Sequence, residues 1–245
     1  MAQVQCHHVS TLANSMILAS IMSGRPIRQS ENEDSPVTGK PLKCPHCDSD
    51  QLVLLDETEG STAYDSVNIN DGICHGEPVW QPDGGKIAGA LECDGIDDYI
   101  STPFIITPAA GDISIFAWIK SGAAGQVILS QAGSANWLMA DPVDGTLRTD
   151  LKEAASAGRN PNPPGPPLIC STVITDGDWH QVGFVRDGIN RILYVDEVEV
   201  ARDTAANLEA AGGGLYIGAG SGLEPGTFWT GLIDDVRIYN RVVKP

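Results

Sequence analysis

The sequence predicts an all-β chain whose residues 52–245 fold as a two-sheet β-sandwich or jelly roll, and three observations carry that prediction. From Leu52 onward, short runs rich in β-branched and aromatic residues recur between turns marked by Gly, Asp and Asn, the pattern of many short antiparallel strands. Ile113–Lys120 (ISIFAWIK) sets Ile113, Ile115, Ala117 and Ile119 on one face and Ser114, Phe116, Trp118 and Lys120 on the other. Apolar groups on both faces mark a central strand. Finally, the only helix candidate is the Ala-rich stretch 201–213, and it runs into three glycines.

Residues 1–51 read as a separate N-terminal tail or linker. Thr11–Met22 (TLANSMILASIM) is a short apolar segment, but it lacks the preceding Lys or Arg and the small-residue cleavage site of a secretion signal. Residues 29–43 are polar, acidic and Pro-containing, with no apolar surface to pack. Cys44-Pro45-His46-Cys47 places two thiolates on one edge of a tetrahedron, half of a zinc site. Cys6 with His7 or His8 would supply the other half, and an idle or redox-active dithiol is the alternative reading.

In the body, Gly72–Gly76 and Ala90–Asp94 are strands carrying Cys74 and Cys93. Both thiols read as small buried apolar groups, or, if the two strands pair, as a disulfide closing a short loop. Residues 154–167 (AASAGRNPNPPGPP) form a surface loop, because Pro removes ladder donors. His180–Arg186, Arg191–Val195 and Val198–Ala201 follow at hairpin spacing and form a three-stranded meander. Trp179 is expected in the core beside Val182 and Phe184, with His180 a structural residue next to it. Leu215–Gly218 and Leu232–Tyr239 complete the set.

The net charge of −17, from 32 acids against 15 bases, excludes a phosphate-binding surface and hence nucleic acid as a partner. It favours a divalent cation, which takes several oxygen ligands. No run of about 18 apolar residues exists to span a membrane as a helix.

Four segments carry a family likeness: Leu55–Gly72 (LDETEGSTAYDSVNINDG), Gly85–Ile100 (GKIAGALECDGIDDYI), Asp178–Ala201 (DWHQVGFVRDGINRILYVDEVEVA) and Gly231–Arg241 (GLIDDVRIYNR). In this order they resemble the laminin-G-like branch of the concanavalin A-like lectin/glucanase superfamily, a type common in bacterial secreted and cell-surface proteins. The resemblance implies a jelly roll with one concave sheet, a secreted or cell-surface location and a structural calcium. The family's hairpin Asp-Gly is here Asp196-Glu197, which puts a side chain where Gly is favoured.

For calcium, the oxygen-rich loop with Asp65, Asn68, Asn70 and Asp71 is expected to meet the last strand, where Asp234-Asp235 offers a carboxylate. Alternation along a strand lets one of that pair face a given side; the expected ligand set is Asp65, Asn70, Asp71 and Asp235. For carbohydrate, the expected binding residues are Trp137, Arg148 and Trp229, with burial in the sandwich core as the competing role for the tryptophans. The opposed carboxylate pair of a glycosidase is not seen in the sequence, nor is a nucleophile elbow. The expected function is therefore a non-catalytic extracellular binding module for carbohydrate with a structural calcium. The alternative is a structural or assembly subunit that self-associates or contacts other proteins.

Overall fold

The computed structural model describes residues 51–157, 162–209 and 212–245. The apolar segment 11–22 and the expected zinc ligands Cys44 and Cys47 lie outside the described residues. Sixteen strands among them form two antiparallel eight-stranded sheets. The first sheet runs β14 (Val198–Thr204), β13 (Asn190–Val195), β12 (Trp179–Asp187), β7 (Ile113–Ser121), β16 (Thr230–Tyr239), β5 (Ala90–Asp94) and β4 (Val79–Gln81), with β1 (Gln51–Val53) also paired to β16. The second runs β11 (Leu168–Val173), β10 (Thr146–Thr149), β9 (Asn136–Ala140), β8 (Val127–Gln131), β15 (Leu215–Ile217), β6 (Tyr99–Thr102), β3 (Gly72–His75) and β2 (Thr62–Ala63). This is the sandwich that the strand spacing predicts. The Ala-rich stretch forms no helix: β14 continues through Thr204, and a bridge and irregular chain follow in the described part.

β7 sits between β12 and β16. Its Ile113, Ile115, Ala117 and Ile119 all enter the core, with Val182 and Phe184 of β12 and Ile100, Leu215 and Ile217 from the facing sheet. Trp179 shares neither the face nor the full burial of Val182 and Phe184. It is an odd number of residues from both, so alternation turns it to the outer side, where it is half-buried. Cys74 and Cys93 lie in different sheets, β3 pairing with β2 and β6, and β5 with β4 and β16. The strand pairing on which their disulfide depends is therefore not formed, and both thiols are free.

The hairpin between β13 and β14 keeps positive φ at both Asp196 (50°) and Glu197 (67°), so the turn is retained at a conformational cost that Gly would avoid. Gly122 answers to a different constraint. At φ 85° it lies beneath Trp229, whose ring atoms would come within 2.3 Å of any Cβ there.

Candidate functional site

The outer faces of the two sheets differ. On the first, Phe116, Val185, Ile192, Tyr194 and Tyr239 form an apolar strip covered by Val242 and Val243. The terminal segment is fastened there by Ser114, whose hydroxyl donates to Arg241 O and accepts from Val243 N, each at 2.8 Å.

On the second sheet, Ile100 points into the core, so its neighbours Tyr99 and Ser101 face outward. Strand register sets His75 opposite Tyr99 and Tyr216 opposite Ser101. The His75 and Tyr99 rings stack 4.4 Å apart at 12°, and Tyr216 meets Tyr99 edge-on at 5.3 Å. Phe228 closes the far side, 6.1 Å from Tyr99. His75 Nε2 lies 2.8 Å from Ser101 Oγ, which fixes the imidazole plane. His75, Tyr99 and Tyr216 are half-buried, held rigidly but still presenting ring surface.

The aromatics expected to bind carbohydrate lie elsewhere. Trp137 and Trp229 are both 0% exposed and belong to the core between the sheets, so neither can offer a face to a sugar. The loop that follows β15 also crosses the outer side of β8 and the start of β9, where Ser130 Oγ donates to Ala219 O and Ser221 N donates to Asn136 Oδ1. Arg148 does stay at the surface with a fifth of its side chain exposed, fixed by Asp141 at 3.1 Å and Asp150 at 2.7 Å.

Of the expected calcium ligands, Asp65, Asn70 and Asp71 gather in one loop. Asp65 accepts from Val67 N and Asn70 Nδ2, and Asp71 accepts from Asp65 N, so these carboxylates order their own loop. Asp235 is buried against Arg237, 2.6 Å from its Nη2. The set of three carboxylates with oxygens within 4.8 Å of one another, among the described residues, is instead Asp94, Asp97 and Asp98. Three oxygens of that set already accept backbone hydrogen bonds, both of Asp98 from Glu77 N and Asp94 N and Asp94 Oδ1 from Ile96 N.

Asp234 behaves differently. Strict alternation would expose one of the adjacent aspartates, but β16 carries a bulge between Asp234 and Arg237, with Asp235 at φ 49°. The bulge buries both side chains. It also marks where β16 exchanges β5 for β1 as its partner. Asp234 Oδ2 accepts from Ile87 N, and Asp56, just past β1, accepts from Gly89 N. Two carboxylates thus grip one loop, residues 85–89. Asp234 Oδ1 is buried with no hydrogen-bond partner. Burial first, then the charges of Asp235 and Asp56, push its carboxyl up to about 8. An orphaned carboxylate oxygen beside two further carboxylates fits a hard cation such as calcium. Asp234 with Asp56 would hold it.

His180 is held between two carboxylates. Its two ring nitrogens contact Asp196 at 2.8 Å and Asp176 at 3.1 Å.

Comparison with known proteins places these features in a family. A family sequence model described as the concanavalin A-like lectin/glucanases superfamily, of the laminin-G type, matches residues 94–245. No curated protein matches the chain. Among solved structures, domain 4 of an extracellular arabinanase from Geobacillus stearothermophilus, in complex with arabinotriose, superposes with a TM-score of 0.56 at 20% identity, over 80% of this chain and 93% of that one. The binding domain of Paraclostridial Mosquitocidal Protein 1 gives 0.58 at 14% identity, over 80% of this chain and 50% of that one. The binding domain of botulinum neurotoxin serotype G gives 0.58 at 12%, over 80% and 48%. At these identities the likeness is one of fold.

Proposed function

The chain belongs to the concanavalin A-like lectin/glucanases superfamily, and on that premise we propose that it is a non-catalytic carbohydrate-binding module of a secreted or cell-surface protein, stiffened by one structural calcium. The observation that carries the reading is the rigid aromatic platform of His75, Tyr99 and Tyr216 on the open face of the second sheet. Sugars present apolar C–H faces to aromatic rings, and a ring held by packing loses little freedom on binding. The arabinotriose complex of a similarly folded domain supports the same use of this fold.

Several acids are tied up in ion pairs. Asp141 and Asp150 are spent on Arg148, Glu199 on Arg202 and Asp235 on Arg237. Calcium at Asp234 and Asp56 would tie the β1 end, the 85–89 loop and the β16 bulge together.

A glycan array probed with the full chain, with and without chelator, tests the proposal. Binding to a glycan class that Tyr99→Ala abolishes while the fold survives is the expected result. Uniformly negative arrays together with self-association in sedimentation would replace it with the assembly role.

A further inference from the structure

The cover on the first sheet stops short of one end. Val242 and Val243 pack on the strip around Phe116, and the next two outward positions along β7 are Trp118 and Lys120. Register sets Gln181 opposite Trp118 and Trp179 opposite Lys120, so these four side chains are near neighbours on one outer face. Unlike Trp137 and Trp229, both tryptophans are only half-buried. Lys86, exposed on the 85–89 loop, lies over the Trp118 ring with its Nζ 4.9 Å from the centroid, which holds the ammonium over this face. In a chain of 32 acids and 15 bases, Arg148, Arg191, Arg202 and Arg237 each sit on a carboxylate. Lys86 and Lys120 form no ion pair among the described residues. The acids next to them in register are already engaged. Asp196 accepts from Gln181 N and contacts His180, and Glu92, in register with Leu232 beside Lys120, accepts from Gln81. Asp234, in register with Trp118, is buried and accepts from Ile87 N. Gln181 Oε1 has no hydrogen-bond partner.

We propose that Trp118, Trp179, Gln181, Lys86 and Lys120 form a second saccharide site, on the sheet opposite the platform, that takes chains of uronic acids over neutral chains. It goes beyond the platform reading and stands without it. Trp179 supplies a ring for a sugar's apolar face. Lys120 beside it and Lys86, held on Trp118, meet the sugar carboxylates, and the Gln181 amide meets a hydroxyl, the partner its oxygen lacks. The net charge of −17 repels an acidic chain at long range, but that field is screened beyond about 8 Å at physiological salt. The two unpaired lysines therefore decide the contact. An acidic protein segment carries the same charge but has no sugar face for Trp179, so the site favours the saccharide.

The test is calorimetric titration of the full chain at neutral pH and roughly 0.15 M salt, with no calcium added because uronate carboxylates bind it themselves. The probes are a galacturonic-acid oligomer, its neutral methyl ester of equal length, and polyglutamate. The acid oligomer should bind about tenfold more tightly than the ester, the scale of two surface charge contacts. Lys86→Gln with Lys120→Gln should erase that preference, and Trp179→Ala should weaken binding of the acid oligomer. Equal affinity for acid and ester, or no binding of the acid oligomer, would overturn the proposal and leave the platform to its own glycan test. Acid-oligomer binding that Tyr99→Ala removes and Trp179→Ala spares would move the ligand to the second sheet and overturn it as well. Polyglutamate binding as tight as the acid oligomer and indifferent to Trp179→Ala would show a generic basic patch instead of a saccharide site.

Discussion

The outer faces of the two sheets both carry aromatic residues, and among the described residues they are covered to different degrees. Phe116, Tyr194 and Tyr239 of the first sheet lie under the chain's own last residues, with Val242 and Val243 packed on the strip. Among the described residues, His75, Tyr99 and Tyr216 of the second sheet are held by one another, bordered by Phe228, and stay half-buried. Aromatic content therefore does not distinguish a packing face from a binding face. What distinguishes them is whether the chain supplies its own lid.

The largest effect separates core from platform. Trp229→Ala should cost about 3–5 kcal/mol, because a fully buried indole leaves a cavity above Gly122. Tyr99→Ala should cost only about 1 kcal/mol, the ordinary scale for a single substitution, and remove glycan binding. Chemical denaturation and glycan titration of both variants check this. Trp229→Ala losing binding at full stability, or Tyr99→Ala keeping binding, would reverse the assignment of the faces.

The next effect concerns cation binding. At a calcium concentration one hundred times Kd the folded state should gain about 2.7 kcal/mol, read as a fall in Tm on adding chelator. Asp234→Asn should abolish that response, because it removes a buried carboxylate whose Oδ1 has no hydrogen-bond partner. A Tm unmoved by chelator in the unaltered chain would remove the ion from the proposal.

Closing the first sheet is the third effect. Val243→Asp should cost about 1–2 kcal/mol, by placing a charge on an apolar strip. It should also raise binding of a hydrophobic dye and leave glycan affinity unaltered, since the two faces belong to opposite sheets. A matched loss of glycan affinity would mean that the faces are coupled.

How much was legible in the sequence follows from where each signal resides. The strands β7, β12 and β13 could be read because alternation and turn residues are local. Trp137 and Trp229 could not be assigned, since residue type says that a ring is apolar and not what covers it. The outer side of β8 and the start of β9 is tied to a loop more than 80 residues later in the chain. The expectation that only one of Asp234 and Asp235 faces a given side assumed unbroken alternation, and the bulge with its positive φ turns both acids inward. Tyr99 and His75 were passed over because each is unremarkable alone. They become a platform only through the β3–β6 register. The Tyr-Ile-Ser alternation of 99–101 was the available clue, marking Tyr99 as outward-facing.

The smallest effect is a pH dependence on the first sheet, away from the platform. Burial disfavours a charged His180, but the hydrogen bonds it donates to Asp196 and Asp176 outweigh it and raise its pKa above the ordinary 6.5. A raised folded-state value means that the folded chain holds this proton more tightly than the unfolded one. The resulting stability is fully present below about pH 6.5 and is lost as the pH climbs through the raised value. The imidazolium ties the Asp176 turn to the strained Asp196-Glu197 hairpin, so its loss should loosen that end of the meander. Tm measured from pH 6 to 9 should decline slightly in the unaltered chain, and His180→Gln should remove this part of the decline. Glycan affinity measured alongside should be insensitive to His180→Gln, because the staple stands on the closed sheet. An affinity that falls with the substitution would tie the hairpin to the open face and erase the separation between the two.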